Sequence, residues 1–248
     1  MGRFILLAGP SCVGKGPLHH ALQKLYPELA RTLHPVVLYN SRAPRPGERD
    51  GVDYHFRPRT EIENLTDDPG FIVADVRGDL QAIEISSIQE ILATEQDAFF
   101  EGNPFIPAKL RACQILEHLP TLSAFLSPFS REELLFFQEP AQKIDLETFV
   151  ADVMRRKLLR RTKRQKTHLS LKDLENIENR AESAFTELRE AWKFDVIIPN
   201  HDGEDSEHWD AFYYPIGDAR KALLTFVDLL RGEPSAWGEQ WEKDLLPS

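Results

Sequence analysis

Residues 3–22 read RFILLAGPSCVGKGPLHHAL, and this stretch limits the possible fold more than any other part of the chain. Phe4–Ala8 is a continuous apolar run without alternation, the pattern of a strand buried on both faces. Leu18, Ala21, Leu22 and Leu25 recur at helical spacing, and Pro17 suits a first helical turn. Between them lies a glycine loop that meets the spacing G-x-x-x-x-G-K through Gly9, Gly14 and Lys15. Such a loop lets successive backbone N–H groups turn inward, and the helix start adds about half a positive charge. Pro10, Ser11, Cys12, Val13 and Gly16 complete the cradle, and Lys15 is placed to reach the terminal phosphates of a nucleoside triphosphate.

One feature of the loop departs from its usual form. Gly16 stands where a hydroxyl commonly helps to hold magnesium, and Pro17 offers no ligand either. A metal would then lean on phosphate oxygens, on water and on an acidic residue from another strand end. Glu101, closing the apolar run DAFFE, is the candidate.

Further short apolar runs alternate with helical patterns. Val36–Tyr39, Phe71–Val76, Asp97–Asn103, Thr121–Pro128 and Phe194–Asn200 read as strands, and AIEISSIQEILA (82–93), the segment 145–192 and GDARKALLTFVDLLRG (217–232) as helical. Ser130 followed by Glu133 is a capping-box pattern opening a helix. This alternation predicts an α/β fold with a mainly parallel central sheet, and the crossover rule puts the glycine loop at the sheet's carboxyl edge.

Composition excludes several classes. The 248 residues carry 42% hydrophobic side chains, enough for a sizeable core, and a formal charge of −10 disfavours a general binder of nucleic acid or anionic membrane. No run approaches the length of a bilayer span, and Phe4–Ala8 is too short for a secretory core. Two cysteines, Cys12 and Cys113, make no disulfide framework, and no His or Cys spacing suggests zinc. A soluble cytoplasmic protein is expected. Cys12, near a helix start, could carry a lowered thiol pKa or simply fill the loop.

Two stretches taken together carry a resemblance. GPSCVGKGPL resembles the phosphate loop of guanylate kinases, and SRAPRPGERDGVDYHF (41–56) follows that family's Thr-Arg-x-Pro-Arg-x-Gly-Glu-x-x-Gly-x-x-Tyr-x-Phe segment almost throughout. The resemblance runs over roughly residues 3–230. It implies a P-loop nucleoside monophosphate kinase-like three-layer fold with an acceptor-binding insertion and a helical lid. Its segments are a domain over 1–232, with core 1–37, 98–137 and 178–232, acceptor region 38–97 and insertion plus lid 138–177, then a tail over 233–248.

The resemblance also implies roles. Arg42, Arg45 and Tyr54 stand where the family grips the acceptor's phosphate, a task suited to guanidinium forks and a phenol. The family's guanine readers fall on Leu38, Val73 (or Asp75), Ile83 and Asn103, and a further phosphate-contacting tyrosine is replaced by Gln81. Leucine and isoleucine cannot hydrogen-bond a purine edge, so strict specificity for guanosine monophosphate is not expected. Arg180 matches a transfer-stabilising arginine. RRKLLRRTKRQK (155–166), eight basic residues in twelve, lies at the lid, with Arg160 and Arg161 as its catalytic candidates. Asn200 falls near the donor adenine.

The reading that unites these residues is ATP- and Mg²⁺-dependent phosphoryl transfer to a small phosphate-bearing acceptor. A catalytically degenerate interaction module of the same fold is the alternative, since the loop hydroxyl and most base readers are gone. A nucleic-acid kinase using 155–166 is a third. The sequence leaves the oligomeric state open.

Overall fold

The amino-terminal run forms the expected strand, β1 (Phe4–Ala8), with all five side chains buried. Full burial is worth about 1.5–3 kcal/mol for a large aliphatic side chain, so this run alone anchors a core. The computed structural model describes residues 2–45 and 47–247; Met1, Pro46 and Ser248 lie outside the described residues, and with them the outer limits of the sequence segments.

After β1 come α1 (Lys15–Leu25), α2 (Pro27–Ala30), β2 (Leu33–Pro35), β3 (Tyr39–Asn40), β4 (His55–Phe56) and α3 (Arg59–Asn64). Then follow β5 (Phe71–Val76), β6 (Asp79–Glu84), α4 (Ile85–Ala93), β7 (Asp97–Gly102), α5 (Phe105–Ala112) and β8 (Thr121–Ser127). The chain continues through α6 (Arg131–Phe137), α7 (Leu146–Gln165), α8 (Leu171–Leu188), β9 (Val196–Pro199) and α9 (Gly217–Arg231). This is the α/β alternation read from the sequence. The first sheet has the order β2-β7-β1-β8-β9, with β2 parallel to β7 and β8 parallel to β9. The chain divides into two compact units, Met1–Leu6 with Thr32–Leu122 and Leu7–Arg31 with Ser123–Ser248.

The first unit holds the second sheet, in the order β4-β3-β6-β5. Directly opposed residues of antiparallel strands share a face. Val73 opposes Ala82, whereas Ile72 opposes Ile83, Ala74 opposes Gln81, and Asn40 opposes Gln81 from β3. Val73 therefore lies on the face where Ile62 of α3 packs with Leu80 and Ala82. Asn40, Ala74, Gln81 and Ile83 occupy the opposite face.

In the second unit α7 lies along α8, and Arg155 of α7 is shared between Asp152 and Glu178. The Ser130 capping box forms at the start of α6: its hydroxyl accepts from the Glu133 N–H, and the Glu133 carboxylate accepts from the Ser130 N–H at 2.8 Å. The tail, patternless in sequence, is ordered by long-range contacts. Glu239 exchanges two backbone hydrogen bonds of 2.8 Å with Ile197, while Trp241 and Leu245 are buried. Arg131 holds Glu242 at 2.8 Å, and the Gln138 amide donates to the Leu245 carbonyl at 2.9 Å.

Two element boundaries differ from expectation. The strand expected over Val36–Tyr39 is replaced by β2 and β3 on either side, because the chain leaves one sheet and enters the other there. The helix expected from residue 82 begins at Ile85, since pairing with β5 keeps 82–84 extended. Among the described residues no helix is long and apolar enough to cross a membrane.

Candidate active site

The phosphate loop lies in the second unit, between β1 and α1. Its two glycines are dictated by crowding as well as by backbone angle. At Gly9 (φ +149°) a Cβ would sit 2.4 Å from the Leu126 carbonyl oxygen, and at Gly14 (φ +106°) 2.6 Å from the Asn200 amide nitrogen. Gly14 caps α1 without a side-chain hydrogen bond, so the helix's first N–H groups face the loop with no side-chain cap. The Lys15 ammonium is buried and curls back to the carbonyls of Gly9 and Pro10, at 2.7 and 2.8 Å. This is a cation enclosed by a loop at a helix start, an arrangement suited to an oxyanion.

Cys12 takes a left-handed backbone (φ 69°) and is fully buried. Burial, reinforced by Glu204, pushes its thiol up to about 12. Of the two sequence readings, the reactive thiolate is overturned: desolvation outweighs the helix start.

The loop is braced from the segment after β9. Asn200 is fully buried; its amide donates to the carbonyls of Val13 at 2.7 Å and Asp202 at 2.8 Å, and its oxygen accepts from the Asp202 N–H at 3.2 Å. Its polar atoms are thus spent on the protein. Asn200 thereby braces the phosphate loop at Val13. Glu204 adds an N–H bond to the Cys12 carbonyl at 3.2 Å.

The basic face of α7 turns on this same acidic segment. Arg161 pairs with Glu204 at 2.6 Å, Arg164 with Glu207 at 3.2 Å, and both Lys157 and Arg160 stand 3.6 Å from Asp205. Burial is the largest single influence on Arg161 and disfavours its charge, but Glu204 and its other neighbours, Asp205 among them, together raise its pKa. Arg160 remains 69% exposed, while Arg180, on α8, is buried. His201 lies between Glu133 at 2.8 Å and Asp218 at 2.5 Å, and these partners raise its pKa to about 9 against a smaller opposing effect of burial.

A cleft of about 480 Å³ opens beside the loop, lined by Pro17, Ala21, Lys24, Arg164, Trp209 and Tyr213. Sequence reasoning missed its aromatic wall. The only signal was the run HWDAFYYP in a segment read as merely polar and acidic.

The phosphate-gripping candidates lie in the first unit. Arg42 is clamped by Glu48 through two bonds of 2.6 and 2.7 Å, and its guanidinium lies 5.1 Å from the Tyr54 ring and 5.4 Å from that of Phe56. Burial opposes its charge, yet Glu48 raises its pKa. Burial likewise pushes the Tyr54 phenol up, so it is a neutral donor. Arg45 donates its backbone N–H to Glu48 at 2.7 Å and leaves its side chain exposed.

The base-reading candidates divide. Leu38 and Ile83 are buried apolar side chains, and Val73 faces the α3 side, away from Gln81 and Ile83. The three therefore form no common lining, and Asp75, sharing Val73's face, does not either. Gln81 and Asn103 are both buried and joined by a 2.9 Å hydrogen bond. Glu101, in β7, belongs to this unit, and among the described residues no cluster of three or more metal-ligating side chains is found.

A family model described as guanylate kinase matches residues 1–143. The chain is 36% identical to a guanylate kinase of Synechococcus sp. (strain JA-3-3Ab) over 135 residues, 54% of this chain and 58% of that one. It therefore spans little more than half of that relative's length. A guanylate kinase of Mycobacterium tuberculosis is 34% identical over 162 residues (64% and 71% of the two chains), and one of Mycobacterium sp. (strain MCS) 31% over 204 (81% and 84%). The crystal structure of guanylate kinase from Anaplasma phagocytophilum superposes with a TM-score of 0.54 at 18% identity, covering 93% of this chain and 85% of that one.

Proposed function

Taking as its premise that the chain belongs to the guanylate kinase family, we propose that it transfers the terminal phosphoryl group of ATP to a small acceptor already carrying a phosphate. The observation that carries this reading is the phosphate loop itself, with Lys15 enclosed by the Gly9 and Pro10 carbonyls. On arrival of a triphosphate, the lysine exchanges those carbonyls for phosphate oxygens, and the loop N–H groups from Ser11 to Gly16 supply the remaining donors. The cleft at Pro17, Trp209 and Tyr213 is assigned to the donor's base, with the indole and phenol offering flat apolar faces.

Arg42, Arg45 and Tyr54 hold the acceptor's phosphate, the clamped Arg42 as a preset fork and the exposed Arg45 as a mobile arm. Arg160, Arg161 and Arg180 are assigned to the charge that develops on the transferring group. For the first two this requires release from Asp205 and Glu204. Magnesium, when bound, neutralises phosphate charge; with Gly16 in place of a hydroxyl residue, phosphate oxygens, water and Glu101 are its assigned ligands. The acceptor is not restricted to guanosine monophosphate, and we place the protein in the cytoplasm with no membrane or nucleic-acid partner.

The pairing of lid cations with internal carboxylates favours a second reading, an interaction module of the same fold without turnover. Calorimetry with Mg-ATP, followed by an ADP-release assay across nucleoside and sugar phosphates, separates the two. Phosphotransferase function predicts ATP binding that Lys15→Ala abolishes, and turnover whose acceptor KM rises at least about tenfold in Arg42→Lys, which loses the fork. Absence of ATP binding in the unaltered chain would refute the enzyme and leave the module.

A further inference from the structure

A second cavity, of about 790 Å³, lies in the second unit between the end of α8 and the tail. It shares no lining residue with the cleft beside the phosphate loop. Its volume falls within the range of about 300–1,000 Å³ typical of sites for small organic molecules. Leu188, Trp241 and Leu245 are buried and form its floor, and Trp192, Leu246 and Pro247 remain partly open above them. The Trp241 indole N–H is spent on Glu239 at 2.9 Å, so that side chain contributes only its apolar ring.

The charges around this apolar hollow do not cancel. Glu190 is held by Lys193 at 2.7 Å, and Glu242 is drawn outward to Arg131 at 2.8 Å. Arg189, Lys243 and Asp244 are left, all exposed, and none is in an ion pair among the described residues. Two cations therefore face one acid, a local positive surplus on a chain of formal charge −10. The Lys193 and Lys243 ammonium groups stand 5.7 and 5.6 Å from the centre of the Trp192 ring, one from the same turn and one from the tail. Cation–π attraction thus brings the tail's lysine to the wall of the cavity.

We propose that this cavity binds a small aromatic acid, with a flat ring set against Trp192, Leu246 and Pro247 and one acidic group met by Arg189 and Lys243. A ring suits the site because aromatic pairs gain beyond the area they bury. A neutral molecule would leave the unpaired cations unused, and a cation would meet them as like charges. Asp244 opposes a second negative charge, which disfavours a nucleotide. The site is separate from the phosphoryl-transfer reading, and either can fail without the other.

Fluorescence titration of the unaltered chain with anilinonaphthalene sulfonate, an aromatic monoanion, tests this against N-phenylnaphthylamine, the same frame without charge. The sulfonate should bind one molecule per chain, at least about fivefold more tightly than the neutral amine; a charge pair at about 4 Å in water is worth that factor. Saturating Mg-ATP should leave it bound. Lys243→Glu, which turns an attraction into a repulsion, should weaken the sulfonate at least about fivefold and leave the amine unchanged. Arg189→Glu should do the same and serves if the first variant loses the parent's circular dichroism; the comparison of the two dyes needs no variant. Equal affinity for both dyes, sulfonate binding that the folded variant retains in full, or no binding to the unaltered chain overturns the site. Displacement by Mg-ATP overturns it too, by placing the dye at the nucleotide cleft.

Discussion

His201 joins α6, the segment after β9 and α9 through charge, and this makes stability depend on pH in a defined window. Its ring stands 2.8 Å from Glu133 and 2.5 Å from Asp218, and its pKa rises from 6.5 to about 9. A folded pKa above the unfolded one means that the native state binds the proton more tightly. The stabilisation is therefore complete below about 6.5 and disappears as pH rises through about 9. A shift of that size corresponds at most to about 3 kcal/mol. The ring is 47% exposed, so solvent screening reduces this to about 1–2 kcal/mol. His201→Gln keeps a polar side chain and removes the charge. Urea unfolding at pH 6, 7.5 and 9.5 should show the parent more stable than the variant by about 1–2 kcal/mol at pH 6, with the gap closing towards pH 9.5. Taking the difference at each pH cancels other titrating groups such as Tyr26. A gap that does not change across the range would refute the charge argument and reduce His201 to a neutral hydrogen-bonding spacer.

Asn200→Leu deletes the donors to the Val13 and Asp202 carbonyls; the Asp202 carbonyl keeps the Trp209 indole N–H at 2.6 Å, while the Val13 carbonyl left without a partner costs about 1–3 kcal/mol. The expected outcome is a lower urea midpoint together with weaker Mg-ATP binding; a loss of binding with no loss of stability would instead mark Asn200 as a ligand. For the thiols, brief iodoacetamide treatment read by peptide mass spectrometry should label exposed Cys113 and spare buried Cys12 until the chain is unfolded, because burial holds its thiol near 12.

The strand–loop–helix unit, the Ser130 cap and the segment from Ser41 to Phe56 were legible in the sequence because each depends on neighbours a few residues apart. An apolar run, a glycine spacing and a Ser-x-x-Glu pattern declare themselves locally. The order of the elements, and hence the α/β class and the family, followed from them. The sheet assignments around Val36–Tyr39 were not legible, since the two strands there serve different sheets and their partners lie tens of residues away.

Tertiary structure also decided the functional meaning of individual side chains. Register separated Val73 from Ile83: in a pleated pair, the opposed partner determines which face a side chain takes, and no local pattern states that partner. That the Asn200 amide braces Val13, 187 residues away in sequence, is likewise visible only in the fold. Nor does the sequence show that the cations of 155–166 meet the carboxylates of 204–207. Composition states that a chain holds arginines, amides and carboxylates. Only folding settles which of them neutralise one another.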